Sequence, residues 1–89
     1  MNKIFNEYKR FFDSCNINYS YDEIEVIGMT VCSFYINSAE KLKEIEFQAF
    51  QWGCEYREIV TLGNRMYVHY KIELNHETFI QISIEIPTH

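Results

Sequence analysis

Two stretches in the last third of the chain alternate so strictly between apolar and polar residues that they specify strands. From Arg65 to Leu74 the order is Arg-Met-Tyr-Val-His-Tyr-Lys-Ile-Glu-Leu, with Met66, Val68, Tyr70, Ile72 and Leu74 on one parity. From Thr78 to Ile86, isoleucine occupies positions 80, 82, 84 and 86, with Gln81, Ser83 and Glu85 between them. Strand side chains point alternately to opposite faces, so each run has one apolar and one polar side. A helix would scatter the same residues around its circumference. Register then becomes the decisive quantity, because a slip of one residue sends every isoleucine to the wrong face.

Turns set that register. Gly63-Asn64 is a two-residue hairpin signal joining a strand at about 54–62 to the run that starts at Arg65. It pairs Leu62 with Arg65, Val60 with Tyr67, Glu58 with His69 and Tyr56 with Lys71. Parity settles the second turn. A two-residue Asn75-His76 turn would put the isoleucines on the face of His69 and Lys71. A three-residue turn, Asn75-His76-Glu77, pairs Leu74 with Thr78 and aligns Ile80, Ile82, Ile84 and Ile86 with Ile72, Tyr70, Val68 and Met66. That register gathers the apolar rows on one side and is the one expected.

The earlier part of the chain supplies cover for the apolar side. Residues 3–14 read as a helix with Ile4, Tyr8, Phe11 and Cys15 as its stripe, flanked by Phe5 and Phe12. Residues 16–21 read as a connection. Glu23 to Ile36 reads as one long strand, with Ile24, Val26, Thr30, Cys32, Phe34 and Ile36 sharing a parity and Gly28 marking a bend. Asn37 is expected to cap a second helix, with Glu40 at the third position as a capping box. This helix runs to about Trp52, and Gly53 closes it. Leu42, Ile45, Ala49 and Trp52 form its stripe, with Phe50 alongside, whereas Phe47 falls on the charged side. The expected fold is a single α+β domain spanning residues 1–89 in the order α-β-α-β-β-β. Its four-stranded, mostly antiparallel sheet carries both helices on the isoleucine face.

Composition narrows the function classes. Eighty-nine residues, 47% of them apolar, suffice for one core and leave no room for a second. Thirteen acids against eight bases give a net charge of -5, which argues against bulk attraction to nucleic acid or anionic membranes. Cys15, Cys32 and Cys54 lie in apolar runs with no CxxC spacing, so buried free thiols in a reducing compartment are expected. The first residues lack an apolar signal core, and no run approaches the roughly 20 apolar residues of a membrane span, so a cytoplasmic location is expected. The three glycines are isolated, which excludes a phosphate loop. His76, Glu77 and His89 lack the spacing of a metal site. No cofactor and no metal are implied. Twelve isoleucines and seven asparagines suggest an AT-rich genome, as in many Gram-positive bacteria and their phages.

One surface carries the functional question. With helices on the isoleucine side, the opposite face presents the rows Val60-Tyr67-Glu85, Glu58-His69-Ser83 and Tyr56-Lys71-Gln81. Leu62 with Arg65, and Glu73 with Phe79, flank them. Glu58-His69-Ser83 has the residue types of a hydrolytic triad, but a flat strand offers it neither a nucleophile elbow nor an oxyanion hole. Tyr56, Tyr67 and Phe79 beside Arg65, His69 and Lys71 would suit stacking of single-stranded bases or a nucleotide. The same mixture of aromatic, apolar and basic groups suits a protein contact, in which Tyr and Arg are common anchors. The favoured expectation is a non-enzymatic protein-binding module that forms a homodimer. By type it fits a phage or mobile-element inhibitor of a host defence system. Its contact residues would be Tyr56, Glu58, Arg65, Tyr67, His69, Lys71 and Phe79 on the sheet and Phe47 on the helix. The alternative is a sheet-face binder of a nucleotide or single-stranded nucleic acid.

Overall fold

The computed structural model describes the backbone of residues 3–87 and the side chains of residues 5–87, which leaves the Ile4 side chain and His89 outside the described residues. Helix α1 spans Lys3–Ser14 and α2 spans Leu42–Gln51. The strands are β1 (Ser20–Val26), β2 (Met29–Ile36), β3 (Arg57–Leu62), β4 (Arg65–Asn75) and β5 (Thr78–Ile86). They form one sheet in the order β1-β2-β5-β4-β3. Neighbours are antiparallel except β2 and β5, which run parallel. The class is α+β, as expected, with five strands instead of four.

The extra strand comes from the segment expected to be one long strand. Ile27 (φ 49°) and Gly28 (φ 76°) both adopt left-handed backbone, which reverses the chain into a two-residue hairpin with Val26 opposite Met29. Positive φ at both central positions defines a type I′ turn, whose twist matches that of the strands it joins. Parity consequently flips across the turn. Ile24 now shares a face with Val31, and Glu23 shares one with Cys32. Ile24 and Val26 therefore leave the core face on which unbroken alternation had placed them.

The meander keeps its expected register with one local change. Leu62, Val60 and Glu58 lie opposite Arg65, Tyr67 and His69. Ile80, Ile82, Ile84 and Ile86 lie opposite Ile72, Tyr70, Val68 and Met66. The turn between them is two residues, His76-Glu77, because Asn75 pairs with Thr78 and a bulge at Leu74 absorbs the parity difference. The Asn75 side-chain oxygen accepts the Glu77 N–H at 2.8 Å and so fixes the turn from within. Leu74 is thus unpaired instead of facing Thr78. Strand β2 docks beside β5, and it points the same way as β3, to which α2 connects it.

Both helices cover the isoleucine face. Phe5, Tyr8 and Phe12 of α1 are fully buried, while Phe11 and Cys15 are half-buried. The buried stripe is thus rotated from the expected one, because the sheet draws the Phe5-Phe12 edge of the helix inward. Each such side chain contributes about 1.5–3 kcal/mol over exposure. Tyr8 lies against Trp52 and Phe34, with ring centroids 3.9 and 5.7 Å away. Ile45 and Ala49 anchor α2 as expected. Its start is not as expected: the helix begins at Leu42, and no side chain caps it at Lys41. Ser38 instead accepts the Glu40 N–H at 3.3 Å, a local turn that competes with an earlier helical start. Gly53, at φ 105°, closes the helix as expected. No helix among the described residues is long and apolar enough to cross a membrane.

Candidate functional site

Neither helix covers the second face of the sheet. Its rows follow from the strand registers and are longer than the meander alone would make them, because β2 and β1 extend them. One row reads Glu58-His69-Ser83-Tyr35-Ser20, and the next Val60-Tyr67-Glu85. On the other side lie Lys71-Gln81-Ser33-Asp22 and then Glu73-Phe79-Val31-Ile24. The face therefore changes character along the strands. It is polar and hydrogen-bonded around His69 and Tyr67, and apolar at the end where the β1–β2 hairpin projects.

Within the polar half most groups are already engaged. The Tyr35 hydroxyl donates to Glu85 at 2.7 Å, and Arg65 sits 3.7 Å from the same carboxylate oxygen. Hydrogen bonding to Tyr67 and to Glu85, followed by burial, pushes the Tyr35 hydroxyl pKa well up. Tyr67 lies between Tyr35 and His69, with ring centroids 5.7 and 6.3 Å away, and is only 9% exposed. It is a filler of the face, not the protruding anchor expected from sequence. Lys71 pairs with Glu58 at 3.0 Å. His69 is half-buried, and burial, followed by the Lys71 charge, lowers its pKa against the opposing pull of Glu58.

These pairings bear on each expected chemistry. The Glu58 carboxylate is directed to Lys71, and the Ser83 hydroxyl accepts the Gln81 amide at 3.3 Å. In the triad-like row Glu58 and Ser83 are thus engaged with Lys71 and Gln81, outside the row, as in a cross-strand ladder. Tyr56, Lys71 and Phe79 do come together, but not as a strand row: β3 begins at Arg57, so the expected Tyr56–Lys71 pair lies beyond its end. They line a depression of about 370 Å³ at the margin of the sheet together with Glu55 and Glu73. Two carboxylates there oppose a phosphate, and both cations of the face, Arg65 and Lys71, already lie beside carboxylates. Phe47 is exposed, as expected, at 67%, but it sits on α2 on the other side of the sheet and belongs to no common surface with the rest.

At the apolar end of the face, Met29 and Val31 lie on the second apolar parity that follows Gly28 in the sequence, whereas unbroken alternation puts Ile24 and Val26 on the core side. Ile24, Val26 and Met29 are all substantially exposed there, continuing into half-buried Val31 and Phe79. At the hairpin tip Ile27 is 95% exposed and held at a positive φ, a genuine outlier for a β-branched residue. Asp22 stands beside this corner in the neighbouring row, and Glu73 closes the far end of the Ile24 row on β4. One signal was available: a 14-residue strand from Glu23 to Ile36 is far longer than the usual ~5–6 residues. Ile-Gly, in contrast to Asn-Gly, announces no turn.

Elsewhere, Cys15, Cys32 and Cys54 are free, and the last two are buried as expected. Cys54 donates to the Tyr56 carbonyl at 3.0 Å. Burial raises the Cys32 thiol pKa. Among the described residues no group of His, Cys, Asp and Glu is placed to hold a metal ion. No family model, curated protein or solved structure matches the chain.

Proposed function

We propose that this protein works by binding another protein through the uncovered sheet face, gripping it with the apolar corner of Ile24, Val26 and Met29. The observation that carries this reading is Ile27. A β-branched residue in left-handed backbone costs on the order of 1–2 kcal/mol, and its full exposure recovers nothing by burial within the chain. A contiguous exposed apolar patch is the common mark of a protein contact. Asp22 beside it, and Glu73 at the far end of the same row, favour a partner whose own apolar patch is rimmed with Lys or Arg. Small size, net acidity and AT-rich residue usage fit an inhibitor of the kind that phages and mobile elements encode against host defences. Three free thiols fit a reducing, cytoplasmic compartment.

The test is capture from the source organism's lysate on immobilised wild-type chain, followed by affinity measurement with the protein recovered. Ile24→Lys and Met29→Lys each weaken that complex more than about tenfold, as central interface residues do, while Lys71→Ala leaves it nearly unchanged. Equal capture by both lysine variants would sink the assignment of the corner. Recovery of an oligonucleotide or nucleotide instead, lost in Lys71→Ala and Arg65→Ala and weakened by salt, would transfer the function to nucleic-acid binding.

A further inference from the structure

The sheet has two outer strands, and they are built differently. In a two-residue hairpin the pair next to the turn exchanges both main-chain hydrogen bonds, and the pattern then alternates. In β3, Leu62 is next to the turn, so Arg57, Ile59 and Thr61 direct their N–H and C=O groups outward, away from β4. In β1, Val26 is next to the turn, so Tyr21, Glu23 and Glu25 do so. Both rows of main-chain groups are templates for another strand.

We infer that two copies of this chain associate through β3, antiparallel about a two-fold axis perpendicular to the sheet and centred on Ile59. In that register Ile59 faces its own symmetry mate, Arg57 faces the partner's Thr61, and Glu58 faces the partner's Val60. Every outward residue of the strand finds a hydrogen-bonding mate. Moving the centre to Val60 would set Arg57 against the turn residue Gly63, and moving it to Glu58 would oppose two carboxylates. At this one register the strand satisfies its main-chain pattern along its whole length and opposes no like charges.

Side chains reinforce that choice on the helix side. Ile59 is 59% exposed, although Glu46 of α2 pairs with Arg57 at the start of β3 and the helix packs mainly over β4. Phe50 meets Tyr70 edge-on at 6.3 Å, and Phe47 stands one turn earlier on the same helix. Adding β3 of a second copy separates the two β4 strands by three strand spacings, about 14 Å. Helices in direct contact are about 8–10 Å apart, so the remaining gap is of a size for Phe47, Phe50 and Ile59 from both copies. The uncovered faces of both copies then lie on one side of a continuous sheet, which presents the apolar corner twice.

The same operation is disfavoured at β1 wherever more than three residues of the strand would pair. Centring it on Asp22 or Glu23 opposes that carboxylate to its own mate, and centring it on Ile24 opposes Glu23 to Glu25. Like charges directly opposite are destabilising, so this edge is guarded.

Sedimentation of the wild-type chain over a concentration series, with residue-resolved amide hydrogen exchange, tests the inference. The expected result is a monomer–dimer equilibrium in which the Ile59 and Thr61 amides exchange at least about tenfold more slowly in the dimer, while Glu23 and Glu25 stay fast. Ile59→Lys, at an exposed position, is expected to give a folded monomer. A wild-type chain that stays monomeric at every concentration would overturn the inference. So would a dimer in which Ile59 and Thr61 exchange as fast as Glu23 and Glu25, or an Ile59→Lys chain that still dimerises. The exchange pattern is read on the wild type and needs no variant to fold.

Discussion

The hairpins at the two ends of the sheet, β1–β2 and β3–β4, share a loop length and almost nothing else. Both turn in two residues, and both leave one strand at an edge. The β3–β4 turn uses Gly63 at φ 63°, a residue with no penalty there, and β3 carries one acid and one base on an otherwise uncharged strand. The β1–β2 turn forces Ile27 into the same half of backbone space, and β1 carries Asp22, Glu23 and Glu25 with no base. One hairpin is relaxed at its tip and open along its edge; the other is strained at its tip and guarded along its edge. Charge distinguishes the two edges, and backbone strain distinguishes the two tips.

The largest effect should come from cutting the strained hairpin loose from the core. Phe34 of β2 is completely buried against the rings of Tyr8, Phe12, Tyr19 and Tyr21. Phe34→Ala is expected to cost about 3–5 kcal/mol in a denaturant melt. A loss under 1 kcal/mol would mean that β1–β2 is not held by the common core.

An intermediate effect separates strain from use. Ile27→Asn puts the preferred Asn-Gly pair into the type I′ turn and should stabilise the chain by about 1 kcal/mol, read as a higher Tm. The same variant should bind the captured partner less well. Unchanged stability would show the turn to be relaxed, and the contrast between the hairpins would lose its basis.

The smallest effect concerns His69, at the β4 centre of the polar half. Its pKa in the folded chain lies below the ordinary 6.5, chiefly through burial. The unfolded chain therefore takes up a proton first as pH falls, so stability is full above about 6.5 and declines from there toward the lower folded value. Half-burial keeps this contribution small. His69→Gln should flatten that part of the stability–pH curve, and an unaltered curve would assign the slope to other groups.

Much of this was legible in the chain because periodicity is a local property. Ile80, Ile82 and Ile84 declared a buried face, and Gly63-Asn64 declared its partner strand and register. The β1–β2 reversal was not legible. Its turn has no favourable local chemistry, and the apolar residues on both parities around Gly28 fit a bent strand as well as a hairpin. The site suffers accordingly: alternation brings Arg65, Tyr67 and Lys71 to one face, but it puts Ile24 and Val26 on the core side.

The sequence by itself determined the α+β class, the β3-β4-β5 meander and the side of the sheet that the helices cover, since alternation and burial act over a few residues. Only the tertiary structure decided that Ile27 turns the chain, that β2 lies beside β5, and that Tyr67 is shielded while Ile24 is not. Those outcomes depend on which surfaces meet. The free energy of packing β2 against β5 and α1 overrides the local cost of a left-handed isoleucine.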